Sequence, residues 1–409
     1  MNQPKQPMRM LAPDSFRQVI SRRAIFQAGT AAAGLAILAS CGDDKKDEVS
    51  DTTSGGSTSD LLSQFSTVVN KSSGTLNMFT WGAYNDPDIV GALAETDLGI
   101  TMQVDYYPSN EDLVTKLSAA AGSSGFDVVV PTGPFVPQLI EKGLIQKLDF
   151  SKLPNFSNID PIYNGRSWDP NNEYTVCKDW GSTGWVYNKA VIDREITTWA
   201  DFIDVCMNEA SGRCSLLDSA GNITGMYFWA NGIDWTTEET ADLDAAEAFL
   251  VDEFASHVSG YDSYPSTALA QGSYDISMAW NGDARQAFNN ILDAGGNPED
   301  WVWGLGAPET ELWMDNYCIP TGAPNTDAGH AWINWLLSPE ISIKDLSFHG
   351  YHSGMKMIDQ LIAELAPNLT RPEMIFFTDE QVATMRTGAV NSAQDRIVAI
   401  LDQMKAAGA

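Results

Sequence analysis

From residue 74 onward, short apolar runs alternate with amphipathic stretches, a pattern that predicts strands followed by helices. Residues 76–80 form the first run. Asn85-Asp86-Pro87 after it reads as a helix entrance, with Asp capping and Pro in the first turn. Residues 100–107 are the next predicted strand. Asn110 is placed to cap a helix carrying Leu113 and Leu117, and Phe126-Asp127-Val128-Val129-Val130-Pro131 has the apolar character of a buried parallel strand. A β-α-β-α-β order of this kind specifies a sheet with helices on both faces, whose ligand crevice lies at the carboxyl ends of the strands. Trp81 and Thr132 each fall just past such an end.

A second alternating block follows Trp180-Gly181-Ser182-Thr183-Gly184. Thr198 is placed to cap a helix through Trp199 and Phe202, residues 214–217 and 276–280 read as strands, and an acidic helix spans 242–254 between them. The pattern thus predicts two α/β lobes. With 409 residues and 44% hydrophobic content, there is apolar material for two cores.

The region before residue 74 has a different character. Ser21-Arg22-Arg23-Ala24-Ile25-Phe26 resembles a twin-arginine export signal, and a short apolar stretch over 31–39 follows it. Leu38-Ala39-Ser40-Cys41 matches a bacterial lipobox, in which Cys41 is lipidated and becomes the new N-terminus. Residues 1–40 are therefore expected to be removed, and 41–73, rich in Asp, Ser, Thr and Gly, to form a lipidated flexible tether. The expected location is periplasmic or at the cell surface, with the membrane touched only through the lipid.

Charge narrows the partners. Acidic residues outnumber basic ones 54 to 24, for a formal net charge of -30, which argues against a nucleic-acid role. Cys177, Cys206, Cys214 and Cys318 remain beyond the lipobox, and outside the cytoplasm they permit two disulfides in three connectivities. Cys206 and Cys214 close a short loop and are the first choice. No CxxC pair occurs and the four histidines, His257, His330, His349 and His352, lie elsewhere, so no metal or other cofactor is expected. The segment His349-Gly350-Tyr351-His352 is the one constellation with metal-ligand spacing, and its glycine argues against a shared helical face.

With the strand ends located, Phe79-Thr80-Trp81-Gly82-Ala83-Tyr84, Trp280-Asn281-Gly282-Asp283 and Leu312-Trp313-Met314-Asp315 around them resemble segments of the bacterial spermidine/putrescine-binding proteins, substrate-binding components of polyamine transporters. Phe79-Thr80-Trp81-Gly82-Ala83-Tyr84 matches that family's first cleft segment. Tyr107-Pro108-Ser109-Asn110-Glu111, Trp180-Gly181-Ser182-Thr183-Gly184, Trp280-Asn281-Gly282-Asp283, Leu312-Trp313-Met314-Asp315 and Gly350-Tyr351 follow in family order. The resemblance implies a type II periplasmic-binding-protein fold, with two α/β lobes, a hinge and an interlobe ligand cleft. It places 74–182 with 315–360 in lobe 1 and 183–314 with 361–409 in lobe 2. Cys177 and Cys318 would then lie on neighbouring hinge strands, and a second disulfide between them is an expectation of the same kind.

An extended amine needs apolar walls for its methylenes and carboxylates for its ammonium groups, because a charge taken out of water must be paired. The resemblance puts Trp81, Tyr84, Trp280, Trp313 and Tyr351 on the cleft walls, Asp283 and Asp315 at the amines, and Thr132, Ser219 and Asn222 in the remaining ligand positions. Trp199, Trp229, Trp301, Trp303, Trp332 and Trp335 are assigned to core packing. The chain departs from the family pattern at Ala83, Pro134, Ser219 and Asn222, the first and last two being positions where acids are expected; Asp218 and Glu311 are the candidates to replace them. The implied partners are a small cationic solute and an ABC permease with its ATPase, and the chain is expected to be a monomer. A quaternary ammonium compound, an amino acid, or an altogether different role as an extracytoplasmic hydrolase are the alternatives; no Walker A loop, GxSxG elbow or HExxH segment supports an enzyme.

Overall fold

The structure, a computed structural model, describes residues 58–408. The expected signal peptide, the lipidated Cys41 and the first part of the tether lie outside the described residues.

Strand β1 (Gly74–Thr80) pairs in parallel with β2 (Ile100–Tyr106) on one side and β3 (Val128–Val129) on the other. Helix α1 (Asn110–Ala120) links β2 to β3, and its cap is Ser109 rather than Asn110: the Ser109 hydroxyl accepts the Asp112 amide at 3.1 Å. Asn110 is freed for another task, described below. After β4 (Ile145–Gln146), the chain enters the 13-residue strand β5 (Val176–Asn188). Helix α2 (Trp199–Met207) starts at Thr198 with a capping box closed by Asp201, as the sequence pattern predicts. Then come β6 (Cys214–Leu216), α3 (Ala220–Ala230), β7 (Val258–Tyr261), β8 (Ile276–Trp280), α4 (Asn281–Asp293) and β9 (Trp301–Leu305). The chain returns along β10 (Thr310–Tyr317) and ends through β11 (Ile319–Pro320), β12 (Met385–Arg386) and α5 (Gln394–Ala407).

The second sheet has the order β12-β10-β5-β8-β6-β7, with β9 also on β5, while β11 pairs with β4. Strand β5 belongs to two cores at once. Its first half places Val176 and Trp180 in a cluster with Met78, Val129 and Trp332, and its second half places Trp185 and Tyr187 in another with Trp199, Ile223 and Met278. At about 3.3 Å per residue, a strand of this length covers roughly 40 Å, enough to join two lobes without a loop. Antiparallel pairing of β10 with β5 and parallel pairing of β12 with β10 bring three strands of the same sheet to this junction.

Three further expectations are corrected. Residues 361–385 do not belong with the second lobe: Leu361, Ile375, Phe377, Val382 and Met385 pack in the first cluster, and the chain joins the second only from Ala393 and Ile400. The tether is not free over its last part. Phe65 is buried in the first cluster, and the side chains of Asn155 and Asn158 hold residues 66–68 by bonds such as Ser66 N to Asn158 Oδ1 at 2.8 Å and Val68 N to Asn155 Oδ1 at 3.0 Å.

The third correction concerns the cysteines, because all four of Cys177, Cys206, Cys214 and Cys318 are buried free thiols. Cys177 faces Asn316 across the ladder, so Cys318 is two positions along the neighbouring strand. Such diagonal neighbours have their Cα atoms about 7–8 Å apart, beyond the span of a disulfide. Cys206 and Cys214 are in contact but unbonded: the Cys214 thiol points to the His257 carbonyl at 3.3 Å, and burial, then the Cys214 thiol, pushes the Cys206 thiol well up.

Asn155, fully buried, also donates to the Asn334 carbonyl and to Ser338 Oγ, at 2.8 and 3.1 Å. Asn155→Ala is expected to lower unfolding free energy by about 2–4 kcal/mol in urea titrations, because several buried partners are left unsatisfied at once. Cleavage around residues 65–70 in limited proteolysis should accelerate in the same variant, and an unchanged urea midpoint would contradict this role.

Candidate functional site

The site is built on one face of the β5–β10 ladder. In the observed register Asp315 opposes Asp179, Trp313 opposes Gly181, and Leu312 opposes Ser182, which brings Glu311 beside Thr183. Because strand side chains alternate, Glu311, Trp313 and Asp315 share one face, and all three line the cleft between the lobes. Gly181 is required under Trp313: a Cβ there would lie 2.5 Å from the indole and 2.3 Å from Asn281 Oδ1. Without a side chain at 181, the Trp313 ring lies over the floor of the cleft.

All ten ligand positions expected from the sequence, Trp81, Tyr84, Thr132, Ser219, Asn222, Trp280, Asp283, Trp313, Asp315 and Tyr351, line this one cleft. Each comes from a definable place. Trp81 and Tyr84 follow the end of β1, and the Trp81 indole donates to the Val130 carbonyl at 3.1 Å while meeting Trp280 edge-on, centroids 6.1 Å apart. Thr132 follows β3 and is tied to Asn110, whose side chain donates to Thr132 Oγ1 at 2.9 Å and accepts the Thr132 amide at 3.0 Å. Ser219 and Asn222 sit at the start of α3. Asp283 lies in the first turn of α4, where the helix dipole favours a carboxylate. Of the family departures, Pro134 lines the cleft and Ala83 does not; Ala83 takes a left-handed backbone conformation, with φ of 52°.

The lining holds five carboxylates, those of Glu111, Asp218, Asp283, Glu311 and Asp315, and no lysine, arginine or histidine. Asp283 and Asp315 are both buried. The Tyr351 hydroxyl donates to Asp283, and burial, reinforced by Asp262, pushes that carboxyl up to about 7. Tyr84 lies between Asp179 and Asp315, hydrogen-bonded to the first and 2.8 Å from Oδ2 of the second. Burial and the charge on Asp179 push the Asp315 carboxyl up to about 7, against the opposing pull of Thr132, Tyr84 and Lys178.

Behind the cleft, Asp179 has its own cation. The buried Lys178 ammonium lies 2.6 Å from Asp179 and 3.6 Å from the centre of the Tyr84 ring. His349 packs next to the same group, 3.6 Å from Asp179 and 3.7 Å from Asp345, and burial pushes its imidazole well down, toward the neutral form. Asp315 forms no ion pair among the described residues. Among the described residues its Oδ1 and the Trp313 Nε1 are buried without a hydrogen-bond partner. The arrangement can therefore accept a positive charge and donate one hydrogen bond from an aromatic wall.

The lobes touch directly across the cleft. Tyr264, just after β7, accepts the Gly82 amide at 2.8 Å and donates to the Tyr107 carbonyl at 3.0 Å. Gln394 at the start of α5 donates to Glu111 at 2.8 Å. Tyr264, Trp235 and Gln394 also line the cleft and were not anticipated, since no strand-end signal marks them. The tryptophans assigned to packing are in the cores: Trp199 and Trp229 in the second, Trp332 and Trp335 in the first, with Trp301 and Trp303 half-buried against a third, smaller cluster.

A carboxyl whose pKa rises on folding binds its proton in the folded state and loses it in the unfolded state between the unfolded value near 4 and the folded value. Through that window the folded state holds more protons, so the contribution of Asp283 and Asp315 to stability falls as pH rises toward about 7 and is level above it. Asp315→Asn is expected to raise the stability of the unliganded protein at pH 8 by roughly 1–3 kcal/mol and to flatten its fall between pH 5 and 7. Thermal unfolding across that range measures both. A variant less stable than the parent at pH 8 would contradict the assignment.

Residues 89–360 match the family model for bacterial extracellular solute-binding proteins. The chain is similar to the spermidine/putrescine-binding periplasmic protein of Escherichia coli (strain K12), with 31% identity over 282 residues, 68% of this chain and 76% of that one. It is likewise 30% identical over 305 residues to the putrescine-binding periplasmic protein SpuD of Pseudomonas aeruginosa (strain UCBPP-PA14), covering 72% of this chain and 82% of that protein. Among solved structures, the Tp0655 (TpPotD) lipoprotein of Treponema pallidum superposes with a TM-score of 0.67 at 24% identity, over 81% of this chain and 99% of that one, which establishes the same two-lobed fold. These relatives are binding proteins, and this chain belongs to the bacterial extracellular solute-binding protein family.

Proposed function

We propose that the protein is the extracytoplasmic substrate-binding component of an ABC transporter and that it carries a polyamine-like cation, of the putrescine or spermidine type, to a permease. One observation carries the reading. The cleft is walled by Trp81, Trp280, Trp313 and Tyr351, lined by carboxylates with no basic side chain, and holds a buried Asp315 oxygen that lacks a partner. A buried carboxylate in this state is costly until a cation arrives, and aromatic faces both shield methylenes and attract ammonium groups. The names of the relatives, spermidine/putrescine-binding and putrescine-binding, agree with that chemistry.

Export and anchoring complete the proposal. Cys41 in its lipobox sequence would carry the lipid, and the body from Phe65 onward would stand off a membrane surface by the intervening residues. The ligand positions are proposed as a working set: Asp283 and Asp315 pair with ammonium groups, the aromatic residues hold the carbon chain, and Thr132, Ser219 and Asn222 supply polar contacts. In this reading the protein acts by binding and release, without catalysis.

Isothermal calorimetry on the soluble body against putrescine, spermidine, choline and γ-aminobutyrate tests the reading. Micromolar or tighter binding of putrescine or spermidine is expected, with Asp315→Asn weakening it by about 100-fold, since one member of a buried charge pair is removed. Failure to bind any amine would overturn the proposal, and preference for choline or γ-aminobutyrate would replace the cargo with a quaternary ammonium compound or a zwitterion.

A further inference from the structure

Ser219 and Asn222 occupy positions at the start of α3 where the family resemblance leads one to expect carboxylates, and Asp218 and Glu311 are the nearby acids available to take over. The structure separates these two. Asp218 is already neutralised by Lys405 of α5, whose ammonium is 2.5 Å away. Glu311 has no such counter-ion among the described residues. It is held instead by neutral donors: the Asn222 amide at 2.7 Å and the Thr183 hydroxyl at 2.9 Å both bond its Oε2. Asn222 is thus positioned to orient a carboxylate that is supplied from another strand, and the first turn of α3 adds a favourable dipole.

Where that carboxylate lies sets a length. Glu311, Trp313 and Asp315 are alternate residues of β10, so an acid stands at each end of the row with an indole between them. Four residues of strand put the Glu311 and Asp315 Cα atoms about 13 Å apart, and two acids projecting from the same face of the strand keep a separation of that order. A four-carbon diamine places its nitrogens about 6 Å apart from standard bond lengths. A charge-assisted hydrogen bond of about 2.8 Å at each end makes the carboxylate-to-carboxylate distance about 12 Å. An extended triamine of the spermidine type, about 11 Å between terminal nitrogens, needs about 17 Å by the same reckoning and overruns the row.

We propose that Glu311 is the second anionic anchor of the cleft, moved from α3 onto β10, and that it makes the site selective for linear primary diamines of four to five carbons. This rests on the amine-carrier reading above. Trp313 packs against the central methylenes, Glu311 receives one ammonium, and Asp315 together with Asp283 receives the other. A monoamine fills only one end and leaves the other carboxylate unpaired. A quaternary ammonium group donates no hydrogen bond to either.

The test is a calorimetric series with diamines of three to six carbons, butylamine and spermidine, on the parent protein, on Glu311→Gln, and on the double variant Glu311→Gln with Asn222→Glu. The parent should bind the four- or five-carbon diamine tightest and butylamine about 100-fold more weakly. Glu311→Gln should weaken the diamine by about 100-fold while changing butylamine by less than about 3-fold, and the double variant should recover most of the loss by returning a carboxylate to α3. A Glu311→Gln variant that binds putrescine as the parent does would overturn the anchor role, and so would a parent that binds spermidine more tightly than every diamine. A parent that binds no amine at all would instead remove the amine-carrier reading itself, so the two failures are told apart.

Discussion

Asp179 and Asp315 face each other across β5 and β10, two carboxylates brought together in a buried place with one tyrosine hydroxyl between them. Such a pair cannot both be ionised without compensation. The fold supplies one cation, Lys178, and directs it to Asp179 from behind, where it also lies under the ring of Tyr84. Nothing on the lining of the cleft does the same for Asp315. The unmet requirement is therefore localised to one carboxylate facing the cleft, and a solute cation is what satisfies it.

The same strands that pose this requirement also connect the lobes. β5 runs through both cores, β10 returns beside it, and β12 adds a third strand at the junction. The floor of the site is thus continuous with the hinge, so a change in the angle between lobes alters the walls while the β10 row is kept intact. Tyr264 and Gln394 reach over from the second lobe to Gly82, Tyr107 and Glu111. These polar bonds bridge the cleft directly, beside the edge-on contact of Trp81 with Trp280.

Much of this was legible in the sequence for one reason: functional side chains in an open α/β sheet sit just beyond strand ends, and strand ends can be read from apolar runs. Trp81 and Thr132 were located that way, while Trp280, Trp313 and Asp315 came from the family resemblance, and the row on β10 follows from the period of a strand once Trp313 and Asp315 are placed on it. What could not be read depends on contacts between distant segments. Tyr264, Trp235 and Gln394 carry no local signal, and the choice between Asp218 and Glu311 is made by Lys405, far away in sequence. Polar composition suggested a tether up to residue 73, yet a single phenylalanine and two buried asparagines dock its last part. Proximity along the chain suggested a Cys206–Cys214 disulfide and the family resemblance a Cys177–Cys318 one, and the side-chain directions and the strand register form neither.

A cation bound beside Asp283 and Asp315 favours their ionised forms, which burial disfavours near neutrality. Calorimetry of putrescine binding at pH 7 in buffers of different ionisation enthalpy counts the protons exchanged. Asp283 and Asp315, both pushed up to about 7, are expected to release up to about one proton between them when the amine binds, and Asp315→Asn should reduce that number. A heat that does not vary with buffer, or an uptake of protons, would contradict the account.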